Sequence, residues 1–248
     1  LAEAAAYCAR TQPGHKLSDL RFLGPIPDLE TRVFALGWAY KAHMVETGKA
    51  EMEAPFIFSK HPQSLVGHGE NLVKPRATEK YDFEGEIAIV IGKPTLYVDE
   101  KNALDYVAGF CVCNDISERA FQTERGGQWM KGKGSPTFGP LGPWLVTPDE
   151  IGDVQNLGLW LDVNGQRMQS GNTRTMIFGV AQLVSYVSRF MTLYPGDLIS
   201  TGTPPGVGMG VKPTPVYLKP GDVMRLGIEG LGEQHQKVHA WDPALIDG

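Results

Sequence analysis

Two acidic residues, Glu84 and Glu86, stand at the start of an apolar run that ends at Ile91. Alternate residues of a strand point to the same face, so both carboxylates would share a face with Ala88 and Val90. Two unpaired carboxylates at the start of a buried strand would be costly to desolvate and would repel each other. A bound hard cation removes both costs. A solvated strand end with two ordinary acids is the alternative interpretation.

A third acid, Asp115, follows a second apolar run at residues 106–113. An aspartate in this place can simply cap the following turn. Together with Glu84 and Glu86, however, it offers three oxygen ligands from two predicted strands. Three carboxylates without a histidine at ligand spacing suit Mg²⁺ or Mn²⁺, with Ca²⁺ as a further option, rather than Zn²⁺.

A second constellation pairs His43 with Glu46. On a helical turn, a separation of three residues places both side chains on one face, where the carboxylate can orient the imidazole. Such a pair can act as the general base that deprotonates water, although an isolated H-x-x-E is more often an incidental surface pair. Lys133, in the glycine-rich residues 131–134, is either part of a solvated turn or a cation that stabilises developing negative charge.

Short strands are the predicted elements that would position these residues. The chain has 30 Gly and 18 Pro among 248 residues without a collagen-like period, which indicates many turns. The strand candidates are residues 33–36, 56–58, 87–91, 106–113 and 157–163. Asn164-Gly165 predicts a hairpin turn after the last of them. Pro-Gly-Asp at residues 195–197 and 220–222 predicts two type II turns, each leading into a strand.

One segment predicts a helix instead, at about residues 175–190. Its apolar residues fall at i, i+3, i+4 and i+7, the spacing of a buried helix face: Val180, Leu183, Val184 and Val187. The sequence therefore predicts an α+β fold, mainly β, with few helices. Residues 24–27, Gly-Pro-Ile-Pro, predict a stiff joint. We expect residues 1–27 to form a lead-in, which could be the remnant of a small N-terminal domain, and residues 28–248 to form the catalytic domain.

Composition narrows the function classes. Hydrophobic residues make up 42% and charged residues 21%, as is typical of a folded globular protein. A net charge of −5 argues against a nucleic-acid partner, and no apolar stretch approaches the 18 or so residues of a membrane helix. Cys8, Cys111 and Cys113 are too few and wrongly spaced for a disulfide framework. We expect Cys111 and Cys113 to pack as free thiols, which favours a cytoplasmic location.

Five motifs together resemble the fumarylacetoacetate hydrolase superfamily, in its smaller acylpyruvase-like branch. They are FEGE at 83–86, NDIS at 114–117, FGPLGP at 138–143, GNT at 171–173 and TGTPPGVG at 201–208. Each is weak alone, but their order and spacing are highly specific, and the match runs from about residue 37 to 238. The resemblance implies the C-terminal-domain fold of that family, a mixed β-sheet roll or barrel, and a homodimer.

The resemblance also implies roles for individual residues. Glu84, Glu86 and Asp115 match the family's ligands of a divalent metal, usually Mg²⁺ or Mn²⁺. The catalytic matches are His43 and Glu46, a water-activating dyad often carried on a lid, and the active-site Lys133. The substrate-contacting matches are Arg119, Gln122, Thr203 and Lys60. Two departures, Ala39 where the family often has Asn and Ser135-Pro136 where it often has Phe-Asp, make the substrate pocket less transferable than the mechanism.

These roles imply hydrolysis of a carbon–carbon bond in a 2,4-dioxo acid, with release of pyruvate or a related 2-oxo acid. His43 would take a proton from the attacking water, and a metal would stabilise the enolate charge as a Lewis acid. Arg119 would assist the substrate carboxylate, and Lys133 would stabilise the oxyanion or assist the final protonation. The region around KGKG and TFGPLGPW is similar to that of members acting on sugar-derived 2,4-dioxo acids.

Three other reactions of the family stay open: oxaloacetate decarboxylation, isomerisation of hydroxymuconate-type acids and ureidoglycolate-type lyase chemistry. They need little or no activated water, so the intact His43–Glu46 pair favours hydrolysis. A hypothesis from another class is a non-catalytic metal- or acid-binding protein on the same scaffold. Loss of a ligand or dyad residue would mark such a protein, and none is lost.

Overall fold

The computed structural model describes residues 30–246 without a gap and, before them, residues 14, 16, 19–21 and 23–26. Cys8 and most of the predicted lead-in therefore lie outside the described residues, and the division at residue 27 stays a prediction. The described chain is mainly β with few, short helices and mixed sheets, which confirms the predicted fold class. None of its helices has the length and apolar character needed to cross a membrane.

The elements are short and follow each other closely. The strands are β1 (Val33–Gly37), β2 (Phe56–Lys60), β3 (Leu65–Val66), β4 (Leu72–Val73), β5 (Tyr81–Asp82), β6 (Gly85–Ile91), β7 (Val107–Asn114), β8 (Ser117–Glu118), β9 (Gly139–Pro140), β10 (Gly158–Val163), β11 (Gln166–Asn172), β12 (Leu198–Ser200), β13 (Val223–Ile228) and β14 (Gly232–His239). The α-helices are α1 (Lys41–Glu46), α2 (Arg119–Thr123), α3 (Met130–Lys133) and α4 (Val180–Val187).

Two five-stranded sheets form the framework. The first has the order β2-β1-β12-β6-β7, and the second has the order β11-β10-β13-β14-β4. The pairs β1–β12 and β14–β4 are parallel and their neighbours antiparallel, so both sheets are mixed, and neither closes into a barrel within the described residues. Gln234 of β14 is fully buried and donates hydrogen bonds to the carbonyls of Val112 and Gly142, both at 2.8 Å. This amide links the second sheet to β7 of the first.

The strand predictions are confirmed, since each candidate run lies in a strand whose ends differ by at most two residues. Asn164 (φ 51°) and Gly165 (φ 79°) both have positive φ, as a type I′ hairpin turn between β10 and β11 requires. Gly196 (φ 91°) and Gly221 (φ 99°) have the positive φ that the third position of a type II turn needs. The two Pro-Gly turns lead into β12 and β13, as expected.

The predicted helix at 175–190 is too long at both ends, because α4 spans only Val180–Val187. Before it, Met176 forms a bridge with Tyr40, and the Ile177 N–H donates to the Ala39 carbonyl at 2.8 Å. These residues pair with another segment instead of continuing the helix. Its start is capped by a distant side chain, because the Val180 N–H donates to Gln155 Oε1 at 2.8 Å. Helical periodicity indicates which face of the helix is buried. It does not indicate these tertiary contacts, which decide where the helix begins.

Cys111 and Cys113 are buried free thiols, as predicted. They lie opposite Ala88 and Glu86 of β6 and belong to an apolar cluster that includes Ala88 and Val90. Burial raises the pKa of both thiols to about 12, so packing describes their state better than redox chemistry.

Candidate metal and active site

The pairing of β6 with β7 brings the three predicted acids together. Gly85 lies opposite Asn114, so Glu84, just before β6, is adjacent to Asp115, just after β7. The Asp115 N–H donates to the Glu84 carbonyl at 2.8 Å, and the Glu84 N–H donates to Asn114 Oδ1 at 3.0 Å. Glu86 follows two residues later on the same strand face. One ligand oxygen from each of the three acids lies within 4.8 Å of the others.

Buried cations neutralise part of this charge. Lys133 Nζ lies 2.6 Å from Glu84 Oε2 and 2.5 Å from Asp115 Oδ2. Lys60 Nζ lies 2.6 Å from Asp115 Oδ1, and Arg119 Nη2 lies 2.7 Å from Glu84 Oε1. Burial alone would raise the pKa of Glu84, but Arg119 and Lys133 together outweigh it and hold that pKa well below its usual range.

Glu86 has different surroundings. Its Oε2 accepts hydrogen bonds from the Ser200 hydroxyl at 2.5 Å and from the Gly202 N–H at 2.9 Å. Burial and the like charges of Asp115 and Glu84 raise the pKa of Glu86 well above its ordinary value. Two donors therefore fix the orientation of this carboxylate, while its charge remains poorly compensated.

The donor set fits a divalent cation. The buried cluster contains more carboxylates than cations: Asp82, Glu84, Glu86 and Asp115 against Lys60, Arg119 and Lys133. With all four carboxylates ionised, the cluster carries one excess negative charge in a buried place, which is costly, and a bound cation offsets that cost. The candidate ligands are all carboxylate oxygens, which suit hard cations such as Mg²⁺ or Mn²⁺.

Helix α1 carries His43 and Glu46 on one face, at the predicted separation of three residues. His43 Nδ1 lies 2.8 Å from Glu46 Oε1, and His43 is only 5% exposed. The Glu46 carboxylate also accepts the Gly206 N–H, at 3.0 Å to Oε2 and 3.2 Å to Oε1. The imidazole is therefore held by a carboxylate that is itself anchored, which is the arrangement of an oriented general base.

One cavity of about 120 Å³ connects these groups. Its polar lining contains most of the predicted site residues: His43, Glu84, Glu86, Arg119, Gln122 and Thr203. Another part of the lining is aromatic and consists of Trp38, Phe58 and Trp129. The ring centroids of Trp38 and Phe58 lie 4.7 Å and 5.1 Å from that of Trp129, so the three rings pack as one wall. The cavity thus places charged and aromatic surfaces around the same space.

Arg119 and Gln122 lie on α2 and contact each other, with Arg119 Nη1 donating to Gln122 Oε1 at 3.1 Å. Thr203 is held by two hydrogen bonds. Its hydroxyl donates to the Gly85 carbonyl at 2.9 Å and accepts from Gln169 Nε2 at 2.7 Å. The structure therefore brings three of the four predicted substrate-contacting residues to the cavity.

Lys60 lies in a different environment from the other predicted substrate contacts. Its ammonium donates to Asp115 Oδ1, to the Lys133 carbonyl at 2.8 Å and to the Phe138 carbonyl at 3.0 Å. Three protein oxygens thus use its three donors, so no N–H of Lys60 is left for a ligand. Like Glu46, Asp115 and Lys133, it is not among the described residues that line the cavity. The geometry assigns it the orientation of Asp115 rather than contact with a ligand.

Sequence reasoning missed several residues of the site. Ser200 orients Glu86, Gln169 holds Thr203, and Asp82 accepts a 2.8 Å hydrogen bond from Arg119 Nε. The aromatic wall was also not predicted. An available signal was Asp82 itself, an acid immediately before FEGE whose neighbours are apolar or aromatic. The contacts of Ser200 and Gln169 depend on which strands pair, and no local pattern encodes them.

Comparison with known proteins identifies the family of the chain. The fumarylacetoacetate (FAA) hydrolase C-terminal family matches residues 32–239. A Burkholderia multivorans protein, whose name assigns it only provisionally as a hydrolase, is 57% identical over 209 residues, which cover 84% of this chain and 74% of the relative.

Two solved structures show which enzyme types are similar. A 5-carboxymethyl-2-hydroxymuconate delta-isomerase from Mycobacterium smegmatis is 38% identical, with a TM-score of 0.80 over 94% of this chain and 87% of that one. A fumarylpyruvate hydrolase from Pseudomonas aeruginosa, solved with Mn²⁺ and pyruvate, is 33% identical, with a TM-score of 0.78 over 85% of this chain and 90% of that one. With its three clustered acids and matching fold, the chain belongs to the fumarylacetoacetate hydrolase family, through that family's C-terminal domain.

Proposed function

We propose that the protein is a divalent-metal-dependent hydrolase that cleaves a carbon–carbon bond of a 2,4-dioxo acid and releases pyruvate or a related 2-oxo acid. The observation that carries this proposal is the shared cavity, whose lining includes the carboxylates Glu84 and Glu86 and also His43, the imidazole that Glu46 holds. A base for water and a site for an electron-withdrawing cation are the two requirements of such a hydrolysis.

Glu84, Glu86 and Asp115 would hold the cation, with Mg²⁺ or Mn²⁺ as the proposed metal. The Mn²⁺ in the Pseudomonas aeruginosa structure supports this choice. When bound, the metal supplies Lewis acidity that stabilises negative charge developing on the substrate's 2-oxo group. A divalent cation would change the cluster's one excess negative charge into one excess positive charge. That balance matches a substrate with a single carboxylate beside the cluster.

The chain's own residues would perform the proton transfers. His43, oriented by Glu46 through the 2.8 Å contact, removes the proton from the water that attacks the distal carbonyl. Lys133, the ammonium beside Glu84 and Asp115, stabilises the oxyanion that follows or protonates the departing carbon. Arg119 receives the substrate carboxylate.

The aromatic wall supports a narrower proposal, a sugar-derived 2,4-dioxo acid. The faces of Trp38, Phe58 and Trp129 can pack against the carbon–hydrogen surface of a short substrate tail. Gln122 and Lys49 also line the cavity and can donate hydrogen bonds to tail hydroxyls.

Isomerisation of a hydroxymuconate-type acid is the second candidate. It is supported by the Mycobacterium smegmatis isomerase, whose structure is similar to 94% of this chain. That reaction moves a proton and needs no attacking water, so the His43–Glu46 pair would serve there only as the base that transfers the proton.

A substrate panel separates these functions. Purified protein would be incubated with Mg²⁺ or Mn²⁺ and with acylpyruvates, sugar-derived 2,4-dioxo acids, oxaloacetate and hydroxymuconate-type acids. We expect pyruvate or another 2-oxo acid from the dioxo acids and none in the presence of EDTA. Absence of cleavage across all dioxo acids, or equal cleavage in EDTA, would contradict the proposal. Isomerisation without cleavage would establish the second candidate instead.

A further inference from the structure

One short segment, residues 206–210, donates backbone N–H groups to two acids that serve different parts of the site. The Gly206 N–H donates to the Glu46 carboxylate. The Gly208 N–H donates to Asp82 Oδ1 at 2.7 Å, and the Met209 N–H donates to Asp82 Oδ2 at 3.0 Å. The segment therefore links the carboxylate that orients His43 with a carboxylate outside the metal-ligand set.

Asp82 is fully buried, and each of its oxygens accepts two hydrogen bonds. Oδ1 accepts from the Phe83 N–H at 2.9 Å in addition to Gly208. Oδ2 accepts from Arg119 Nε at 2.8 Å in addition to Met209. An ionised carboxylate is suited to this place because both of its oxygens accept hydrogen bonds. The NH₂ group of an amide side chain would instead face two N–H donors and could accept from neither.

The glycine spacing allows this close approach. A Cβ at Gly208 would lie 2.6 Å from Asp82 Oδ1, and a Cβ at Gly210 would lie 2.6 Å from Glu46 Oε2. Both distances are shorter than any normal contact of a Cβ. Glycine at residue 208 therefore leaves room for Asp82, and glycine at residue 210 leaves room for Glu46.

We propose that Asp82 is a positioning residue for the reaction. It fixes the guanidinium of Arg119 by binding Nε, so that Nη2 contacts Glu84 while Nη1 contacts Gln122. It also anchors the 206–210 segment, whose Gly206 N–H holds Glu46. The inference rests on the proposed function in one respect, that Arg119 binds the substrate carboxylate. It adds that Asp82 orients both Arg119 and, through the 206–210 segment, Glu46.

The central test compares Asp82→Asn with Asp197→Asn. Asp197 is a matched control, since it is also buried and accepts from Arg32 Nε at 3.1 Å and from the Tyr194 N–H at 2.6 Å. It precedes β12 and lies outside the cavity lining. Measurements on each variant are the melting temperature, Mn²⁺ affinity by calorimetry, affinity for oxalate with Mn²⁺ present, and kcat and KM with the best dioxo acid.

We expect Asp82→Asn to lose roughly 10–100-fold in kcat/KM and in oxalate affinity, the usual range for residues that orient active-site groups, and to keep its Mn²⁺ affinity. Asp197→Asn should lower the melting temperature without these losses. In an Arg119→Gln background, Asp82→Asn should weaken oxalate binding little further, because its effect acts through Arg119. If Asp82→Asn behaves like Asp197→Asn, or loses Mn²⁺ and oxalate affinity equally, the proposal is wrong.

The oxalate measurement separates this inference from the proposed function. If the wild type binds oxalate with Mn²⁺ but cleaves no dioxo acid, the hydrolase proposal fails and the role of Asp82 is still tested. If the wild type binds no oxalate, the positioning role itself is overturned. Should Asp82→Asn not fold, the Arg119 Nε–H resonance of the Mg²⁺-bound wild type, assigned with Arg119→Lys, provides the test. Protection from exchange supports the Asp82 contact, and rapid exchange contradicts it.

Discussion

At the scale of single residues, three neighbouring acids have different electrostatic surroundings. Glu84 and Asp115 contact Lys133 directly, whereas Glu86 accepts hydrogen bonds from two neutral donors, the Ser200 hydroxyl and the Gly202 N–H. These surroundings shift the two pKa values in opposite directions: the pKa of Glu84 is held low and that of Glu86 is raised. Glu86 is therefore the carboxylate whose charge most needs a cation.

Glu86→Gln tests this conclusion. The substitution keeps an acceptor for Ser200 and Gly202 but removes a group that repels Glu84 and Asp115 whenever it is ionised. We expect loss of Mn²⁺ affinity and of metal-dependent turnover, with a metal-free melting temperature that is unchanged or higher. Calorimetry and thermal unfolding with and without Mn²⁺ measure both effects.

Glu118→Gln is the control for that experiment, because Glu118 is equally buried but binds the Ala120 and Lys80 N–H groups instead. It should keep its Mn²⁺ affinity. Wild-type Mn²⁺ affinity in Glu86→Gln would show that Glu86 is not a ligand.

His43→Ala separates hydrolysis from decarboxylation. Hydrolysis needs the activated water, so cleavage of an acylpyruvate should fall by about 10²–10⁴-fold. Any oxaloacetate decarboxylation should fall much less, because Glu84, Glu86 and Asp115 are intact. Glu46→Gln should cause a similar but smaller loss of acylpyruvate cleavage, since the imidazole is retained with poorer orientation. Equal loss of both reactions, at unchanged metal and oxalate affinities, would remove the main support for hydrolysis.

At the scale of elements, the site depends on two kinds of backbone contact. The antiparallel pairing of β6 with β7 sets the separation of Glu84, Glu86 and Asp115. The 206–210 segment sets Glu46 through a backbone N–H. The first contact belongs to a sheet with neighbouring strands on both sides of β6, and the second belongs to an irregular segment that depends on glycine for close approach.

Gly210→Ala should disturb the second contact alone. The added methyl would lie 2.6 Å from Glu46 Oε2, so the carboxylate must move away from the orientation that holds His43. We expect kcat of the hydrolysis to fall roughly 10-fold or more while Mn²⁺ affinity stays unchanged. Gly152→Ala is the matched control, because no atom lies within 4 Å of its added Cβ. An unchanged kcat in Gly210→Ala would show that Glu46 does not depend on this contact.

The sequence predicted five of the strands, the Asn-Gly and Pro-Gly turns and the three clustered acids, because alternation, turn residues and strand ends are local patterns. The sequence did not predict which strands pair with each other. The sequence of β12 shows only a short apolar stretch before the TGT motif. Nothing in it indicates that β12 pairs with β6 and so brings Ser200 to Glu86. The family resemblance assigns Lys60 to substrate binding. Only the fold shows that its ammonium donates to Asp115 instead.

At the scale of the whole molecule, we expect a homodimer, as the family resemblance implies. Large apolar side chains remain exposed on neighbouring segments, among them Tyr97 (72%) and Phe190 (60%). The Tyr97 N–H donates to the Ser188 carbonyl at 3.0 Å, which holds these two segments together. Exposed apolar surface of this kind is typical of interaction sites. Light scattering at micromolar concentration should give about twice the 27.1 kDa mass of the chain, and a particle of 27.1 kDa would contradict dimerisation.

The aromatic wall and the acid cluster come from different parts of the backbone. Trp38 follows β1 and Trp129 immediately precedes α3, whereas Glu84, Glu86 and Asp115 are fixed by one strand pair. Substitutions in the wall can therefore accumulate during evolution without moving the acids. A lineage could change the compounds that it accepts while inheriting the same centre, and this independence fits a family that contains both an isomerase and a hydrolase among its solved structures.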